Sequence, residues 1–254
     1  MWQPEQYSQF FELRVSQTLD LFTKLPKSFT PKTVIDVGCG QGITTRYLAD
    51  AYKKAKLIGI DNSEAMLRQA RISYPKINFS FCEIEDFSGK YDLIFSNAPL
   101  HWLQDYEAGF AKIAQAINPG GYFAAQIPAN FNAPSHTILR NIITKNPEWL
   151  EKMQNSSLFR SFLTPENCFS YWQKLGYKVQ LWTSTYYQDL IGENPVLEWV
   201  RGPILGEMTE RLPSEAIDQI LKEYAPLVKE AYPRDKSGVT MFPFTRLFFI
   251  VSGK

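Results

Sequence analysis

Val34-Ile35-Asp36-Val37 is an apolar run broken by a single acid, and it stops at Gly38-Cys39-Gly40-Gln41-Gly42. A short apolar run ending on turn residues reads as a buried strand. Upstream, Phe10, Leu13, Leu21 and Leu25 recur at helical intervals, so residues 2–25 read as helix after Pro4, closed by Pro26 and Pro31. Downstream the two periodicities alternate. Strands are predicted at 33–37, 57–61, 78–82, 91–96 and 122–127, with helices at about 43–53, 63–70 and 106–116 between them. Pro119-Gly120-Gly121 is read as the turn into the fifth strand.

After residue 130 the pattern changes. Residues 131–170 are helical in tendency, with Pro134, Pro147 and Pro165 as breaks, and residues 194–233 are helical again. Tyr177–Tyr187 alternates like a strand, and Arg246-Leu247-Phe248-Phe249-Ile250-Val251 is the last strand. Strands separated by helical stretches imply βαβ units, hence an α/β fold with a mostly parallel sheet and helices on both faces. Such sheets bind ligands at the carboxyl ends of their strands. The glycine turn, Asp61, Glu83 and Ser96-Asn97 each follow a predicted strand, so all belong to that edge. The expected organisation is an N-terminal helical segment over 1–30, a nucleotide-binding core over 31–130, and remaining strands with a helical cap over 131–254.

Composition narrows the partners. The chain has 27 basic and 26 acidic residues, a net charge of +1, which gives no reason to expect nucleic acid or an anionic membrane. No apolar run approaches the ~20 residues of a membrane span. The start, Met1-Trp2-Gln3-Pro4-Glu5, lacks a signal-peptide pattern. Cys39, Cys82 and Cys168 are widely spaced, which suits reduced thiols and a cytoplasmic setting. His101 and His136 are the only histidines, and no CxxC or HxxxH spacing occurs, so no metal is expected.

The glycine turn calls for a nucleotide, and its neighbours select which. Ile43 stands where the dinucleotide fingerprint places its last glycine, and the Walker pattern is absent. Asp61 suits ribose hydroxyls, and Glu83 suits an adenine amino group. Asp36, inside the first strand, would repel a pyrophosphate and suits a cationic amino-acid ligand. Together these favour S-adenosylmethionine over NAD.

At VIDVGCGQG, LIGID, Glu83, FSNAPLHWL and NPGG the chain resembles the class I S-adenosylmethionine-dependent methyltransferases. The resemblance implies a Rossmann-like, seven-stranded sheet. It implies cofactor contacts from Asp36, Gly38, Gly40, Asp61 with Asn62 and Met66, Glu83, Ile84 and Asn97. Trp2, Pro4, Tyr7, Phe10 and Arg14, then LWxxTYY at 181–187, Glu198-Trp199-Val200 and FPxxRLF at 242–248, are similar to the trans-aconitate 2-methyltransferases. That likeness implies that Tyr7 and Arg14 close over the cofactor and that a small (poly)carboxylic acid is methylated on oxygen. Arg246 and Arg201 are the candidate carboxylate partners, His101 a hydrogen-bond donor, and Tyr186, Tyr187 and Trp199 pocket walls. The family's arginine beyond Trp199 is replaced by Gly206, and His101 stands where glutamine is usual. Alternatives are a malonyl-carrier-protein carboxyl methyltransferase, for which Lys145, Lys152 and Arg160 would supply a basic patch, and a non-catalytic cofactor-binding module.

Overall fold

The computed structural model describes residues 11–103, 105–159, 162–201 and 206–253, with the side chains of residues 11–15 outside that description. Tyr7 therefore lies outside the described residues, and Arg14 is placed by its backbone alone. Seven strands form one sheet in the order β3-β2-β1-β4-β5-β7-β6. They are β1 (Thr33–Val37), β2 (Lys56–Asp61), β3 (Asn78–Phe81), β4 (Tyr91–Asn97), β5 (Ile117–Pro128), β6 (Lys178–Ile191) and β7 (Val239–Ser252). The pairs β3–β2, β2–β1, β1–β4 and β4–β5 are parallel. Gly253 donates to the Gly121 carbonyl and Ala129 to the Thr245 carbonyl, so β7 runs antiparallel to β5.

Helices α1 (Phe11–Thr23), α2 (Ile43–Ala51), α3 (Glu64–Ser73) and α4 (Tyr106–Ala116) alternate with the first strands. Then come α5 (Pro134–Thr144), α6 (Pro147–Met153), α7 (Pro165–Lys174), α8 (Pro195–Val200), α9 (Gly206–Arg211) and α10 (Ser214–Ala231). The chain groups into two compact units. One holds residues 4–127, 163–184 and 247–254, the other 128–162 and 185–246 together with 1–3.

Central strands β1 and β4 are buried along nearly their whole length, which is why they read as continuous apolar runs. The aromatic core of the first unit is built on Phe110, which stacks on Trp172 at 5.0 Å and meets Phe249 edge-on at 5.8 Å. In the second unit Trp199, Phe242 and Phe244 form a cluster with centroids 5.7–5.9 Å apart.

Two local expectations are corrected. Pro134, Pro147 and Pro165 do not break helices but open them, each at the first or second helical position. The first-turn N–H groups have no intrahelical acceptor, so proline loses nothing there. Asn146 and Thr164 cap two of these helices. Likewise Pro119-Gly120-Gly121 is no free turn. It forms a bulge inside β5, where Ile117 pairs with Tyr91 and Tyr122 with Leu93. A Cβ on Gly121 would lie 2.8 Å from the Asp92 carbonyl oxygen, so only glycine lets the two backbones approach.

Candidate active site at the carboxyl edge

Strand order reverses between β1 and β4, and open α/β sheets bind ligands beyond the carboxyl ends of the strands at such a reversal. Gly38 (φ 73°), Gly40 (φ 53°) and Gly42 (φ 83°) all take the left-handed conformation. The loop is pinned to β2, since the N–H groups of Gly38 and Cys39 both donate to the Ile60 carbonyl at 2.8 and 2.9 Å. A Cβ on Gly38 would stand 2.3 Å from Pro99 Cβ, so Gly38 makes room for the loop after β4. A Cβ on Gly40 would meet nothing within 4 Å among the described residues. The two glycines thus serve different ends, Gly38 packing and Gly40 an open approach to the backbone. Beyond β4, Ala98 (φ 72°) is the one non-glycine residue among those described in the left-handed region. Such strain concentrates at functional sites.

Three carboxylates surround the loop. Asp36 is fully buried; Oδ2 accepts from Thr45 Oγ1 at 2.6 Å, and Oδ1 has no hydrogen-bond partner among the described residues. Burial raises its pKa to about 7, against the Thr45 hydrogen bond, and the nearby Asp61 raises it further. Asp61 Oδ2 accepts from the Gly40 N–H at 2.8 Å and Oδ1 from the Ser63 N–H at 2.9 Å. Its pKa is also raised, by burial first and then by Glu83, with the N–H groups of Gly40, Ser63 and Asn62 opposing. Glu83 Oε2 accepts from Asn62 Nδ2 at 2.9 Å. An edge with this accumulated negative charge disfavours a pyrophosphate and favours a cation. The bare oxygen of Asp36 and the open space at Gly40 fit a cofactor that carries both a positive charge and a flat body against the backbone.

The remaining predicted residues separate. Asn62 is exposed and serves Glu83, while Met66 is buried in the core, its N–H donating to the Ser63 cap at 3.4 Å. Ile84 is half-buried beside Glu83. Asn97 uses both N–H donors on threonine hydroxyls, Thr18 at 2.8 Å and Thr44 at 3.1 Å, and its Oδ1 accepts from Gln126. Its amide therefore braces α1, α2, β4 and β5 instead of pointing donors at a ligand. Thr44 and Thr45, which read in the sequence as a polar helix start, both turn inward to the site. His101 sits on a single helical turn (Leu100–Trp102), half-buried, with its ring 4.7 Å from that of Trp102.

In the second unit Arg246 is 7% exposed and its guanidinium lies 4.4 Å from the Phe244 ring centroid. Arg201 is exposed and pairs with Glu198 at 3.4 Å, the geometry of a surface helix pair. Tyr187 is 64% exposed on β6, so the structure does not enclose it as a wall. Trp199 is half-buried in the aromatic cluster. Lys145 and Lys152 are held by Glu223 and Glu148 at 2.6 and 2.8 Å, and Arg160 lies outside the described residues.

Residues 34–121 match the family model described as a methyltransferase domain. Trans-aconitate 2-methyltransferase of Variovorax paradoxus is 32% identical over 100% of this chain and 98% of its own length. The enzyme of the same name from Mycobacterium tuberculosis is 33% identical over 98% of this chain and 96% of its own. Among solved structures, the YcgJ protein of Bacillus subtilis superposes with a TM-score of 0.62 at 15% identity, covering 94% of this chain and 99% of that one. The structure of phosphoethanolamine N-methyltransferase 2 of Haemonchus contortus gives 0.55 at 16% identity, covering 94% and 53%. The seven-stranded sheet matches these neighbours, and the likeness in sequence runs end to end. The chain therefore belongs to the trans-aconitate 2-methyltransferase family and is an S-adenosylmethionine-dependent methyltransferase.

Proposed function

We propose that the protein transfers a methyl group to a carboxylate oxygen of a small polycarboxylic acid, trans-aconitate first, giving a methyl ester. The observation that carries this reading is the full-length likeness to relatives of that name, which spans both compact units. S-adenosylmethionine supplies the activated methyl group when bound.

The chain's residues then have three tasks. Asp36, Gly38, Gly40, Asp61 and Glu83 would hold the cofactor, with Asp36 as carboxylate facing its positive end. Tyr7, Arg14 and Ile84 are further contacts implied by the family likeness. Arg246 would fix the acceptor, because a planar guanidinium binds a carboxylate through two parallel hydrogen bonds. Its face against Phe244 keeps that fork in one orientation. His101 would donate to the acceptor from the loop after β4. An acceptor carboxylate with a pKa near 4 is ionised at neutral pH. No base is needed, and rate comes from aligning oxygen with methyl and excluding water.

The test is incubation of the purified protein with methyl-labelled S-adenosylmethionine and, in separate reactions, trans-aconitate, citrate, cis-aconitate, itaconate and a malonyl thioester. The expected product is a trans-aconitate monomethyl ester, seen by mass spectrometry. Labelled ester from the malonyl thioester alone would replace this reading with the carrier-protein alternative. Binding of cofactor without product from any acid would sink carboxyl transfer.

A further inference from the structure

The second unit contains a cation and a histidine that the sequence reading did not single out. His136 and Arg140 stand four residues apart on α5, so both project from one face of the helix. Arg140 is half-buried. Its guanidinium donates to the Phe131 carbonyl at 2.6 Å and, at a long 3.5 Å, to that of Leu158. Both partners are neutral, and no carboxylate among the described residues forms an ion pair with it. By contrast Arg46, Arg71, Arg201 and Arg211 each pair with a carboxylate close by along the chain, Asp50, Glu64, Glu198 and Glu207 respectively.

His136 completes the arrangement. Its ring meets Phe131 edge-on at 5.9 Å, and Phe131 stacks on Phe162 at 4.8 Å. Burial, then the positive charge of Arg140, lowers its pKa to about 4, so the imidazole is neutral at neutral pH. Nδ1 lies 3.1 Å from Ser135 Oγ. A hydroxyl donating to Nδ1 leaves the ring proton on Nε2. Ser135 is itself clamped, because the Tyr224 hydroxyl donates to its carbonyl at 2.8 Å and its N–H donates to the Tyr232 hydroxyl at 3.2 Å. A neutral donor beside an arginine with no counter-charge among the described residues, both held by a second layer of hydrogen bonds, suits an anion brought by a ligand.

We infer that Arg140 and His136 form a carboxylate subsite that holds a carboxyl group of the polycarboxylic acceptor. The inference rests on the function proposed above and adds to Arg246 a second cationic contact. The carboxylate would neutralise Arg140 and accept from His136 Nε2, with Phe131 and Phe162 shielding the pair from water.

The experiment titrates trans-aconitate into the complex of the full-length protein with S-adenosylhomocysteine by calorimetry and measures initial rates in parallel. Arg140→Lys keeps the charge but loses the fork, and His136→Leu removes the donor. His136→Gln keeps a donor and serves as the conservative control. Arg140→Lys and His136→Leu should each weaken trans-aconitate at least tenfold in Kd and KM, with S-adenosylhomocysteine affinity within twofold of wild type. His136→Gln should recover most of the loss. Wild-type acceptor affinity in both Arg140→Lys and His136→Leu overturns the subsite while leaving the proposed function intact. An equal loss of cofactor and acceptor affinity in both variants also overturns it, by showing a general structural role. Failure of the wild-type protein to bind any carboxylic acid overturns both readings.

Discussion

Thr45 Oγ1 donates a 2.6 Å hydrogen bond to one oxygen of Asp36, and the other oxygen, equally enclosed, has no partner among the described residues. A buried carboxylate with half its acceptors bare costs stability unless something supplies the missing contact. The pair therefore reads as a site prepared for a cation, with Thr45 orienting the carboxylate and the ligand completing it.

Its titration gives the first prediction. The folded pKa of about 7 lies above the ordinary 3.8, so between these values the folded chain holds a proton that the unfolded chain has released. The contribution of Asp36 to stability is thus complete below about pH 4 and is lost as pH rises through about 7. The melting temperature of cofactor-free protein should fall between about pH 5.5 and 8, and Asp36→Asn should flatten that fall. A cation facing the carboxylate reverses the preference. S-adenosylmethionine affinity should weaken by up to about tenfold per pH unit below 7. Calorimetry showing equal affinity at pH 5.5 and 8 would place the cation elsewhere.

The glycines of the loop should respond differently to alanine. At Gly38 the new methyl would overlap Pro99 and the residue holds φ 73°. Gly38→Ala should destabilise the fold by roughly 2 kcal/mol or more. Gly40→Ala meets no atom of the described residues, so its cost is that of the left-handed conformation, about 1–2 kcal/mol. It should nevertheless abolish measurable cofactor binding, because the methyl enters the space where the cofactor would approach. Thermal melts with and without S-adenosylhomocysteine separate the two effects.

Asn97 should behave as a brace and not as a ligand. Asn97→Ala would leave Thr18 and Thr44, both buried, without their shared donor, at a cost of about 1–3 kcal/mol. Thr18→Val removes one arm of the same brace. Amide exchange should accelerate in α1 in both variants, and the double variant should be no worse than the more damaging single one. Additive losses would show that the two residues act separately.

The two arginines carried from the sequence should part company. Arg201 is exposed and paired with Glu198, so Arg201→Ala should change stability by less than about 0.5 kcal/mol and leave the trans-aconitate KM within twofold. Arg246→Ala should raise that KM at least tenfold with cofactor affinity unchanged. A larger effect at Arg201 than at Arg246 would reverse the assignment.

Much of the edge was legible because each strand ends where its apolar run meets a polar or glycine residue. Asp36, Asp61 and Glu83 could be placed beside one another from that alone, and the structure couples all three. Met66 was not legible as core, since its buried side depends on which way α3 faces the sheet. Thr44 and Thr45 looked like a helix start because hydroxyls favour such positions. Only the tertiary hydrogen bonds that join them to Asp36 on β1 and Asn97 on β4 reveal them as turned inward. His136 and Arg140 carried one usable signal, their four-residue spacing on an amphipathic helix, and nothing local told it from a solvated face.

The amino-acid sequence by itself determined the alternation of strands and helices, the glycine loop and the acidic edge, because these follow from hydrophobic period, backbone freedom and charge along a short stretch of chain. Tertiary structure decided what each side chain is for. It alone sets Gly38 against Pro99, occupies the donors of Asn97 and, among the described residues, leaves one oxygen of Asp36 bare and gives Arg140 no carboxylate partner. The physical reason is that burial and partnership arise from contacts between segments distant in sequence, which no local pattern encodes.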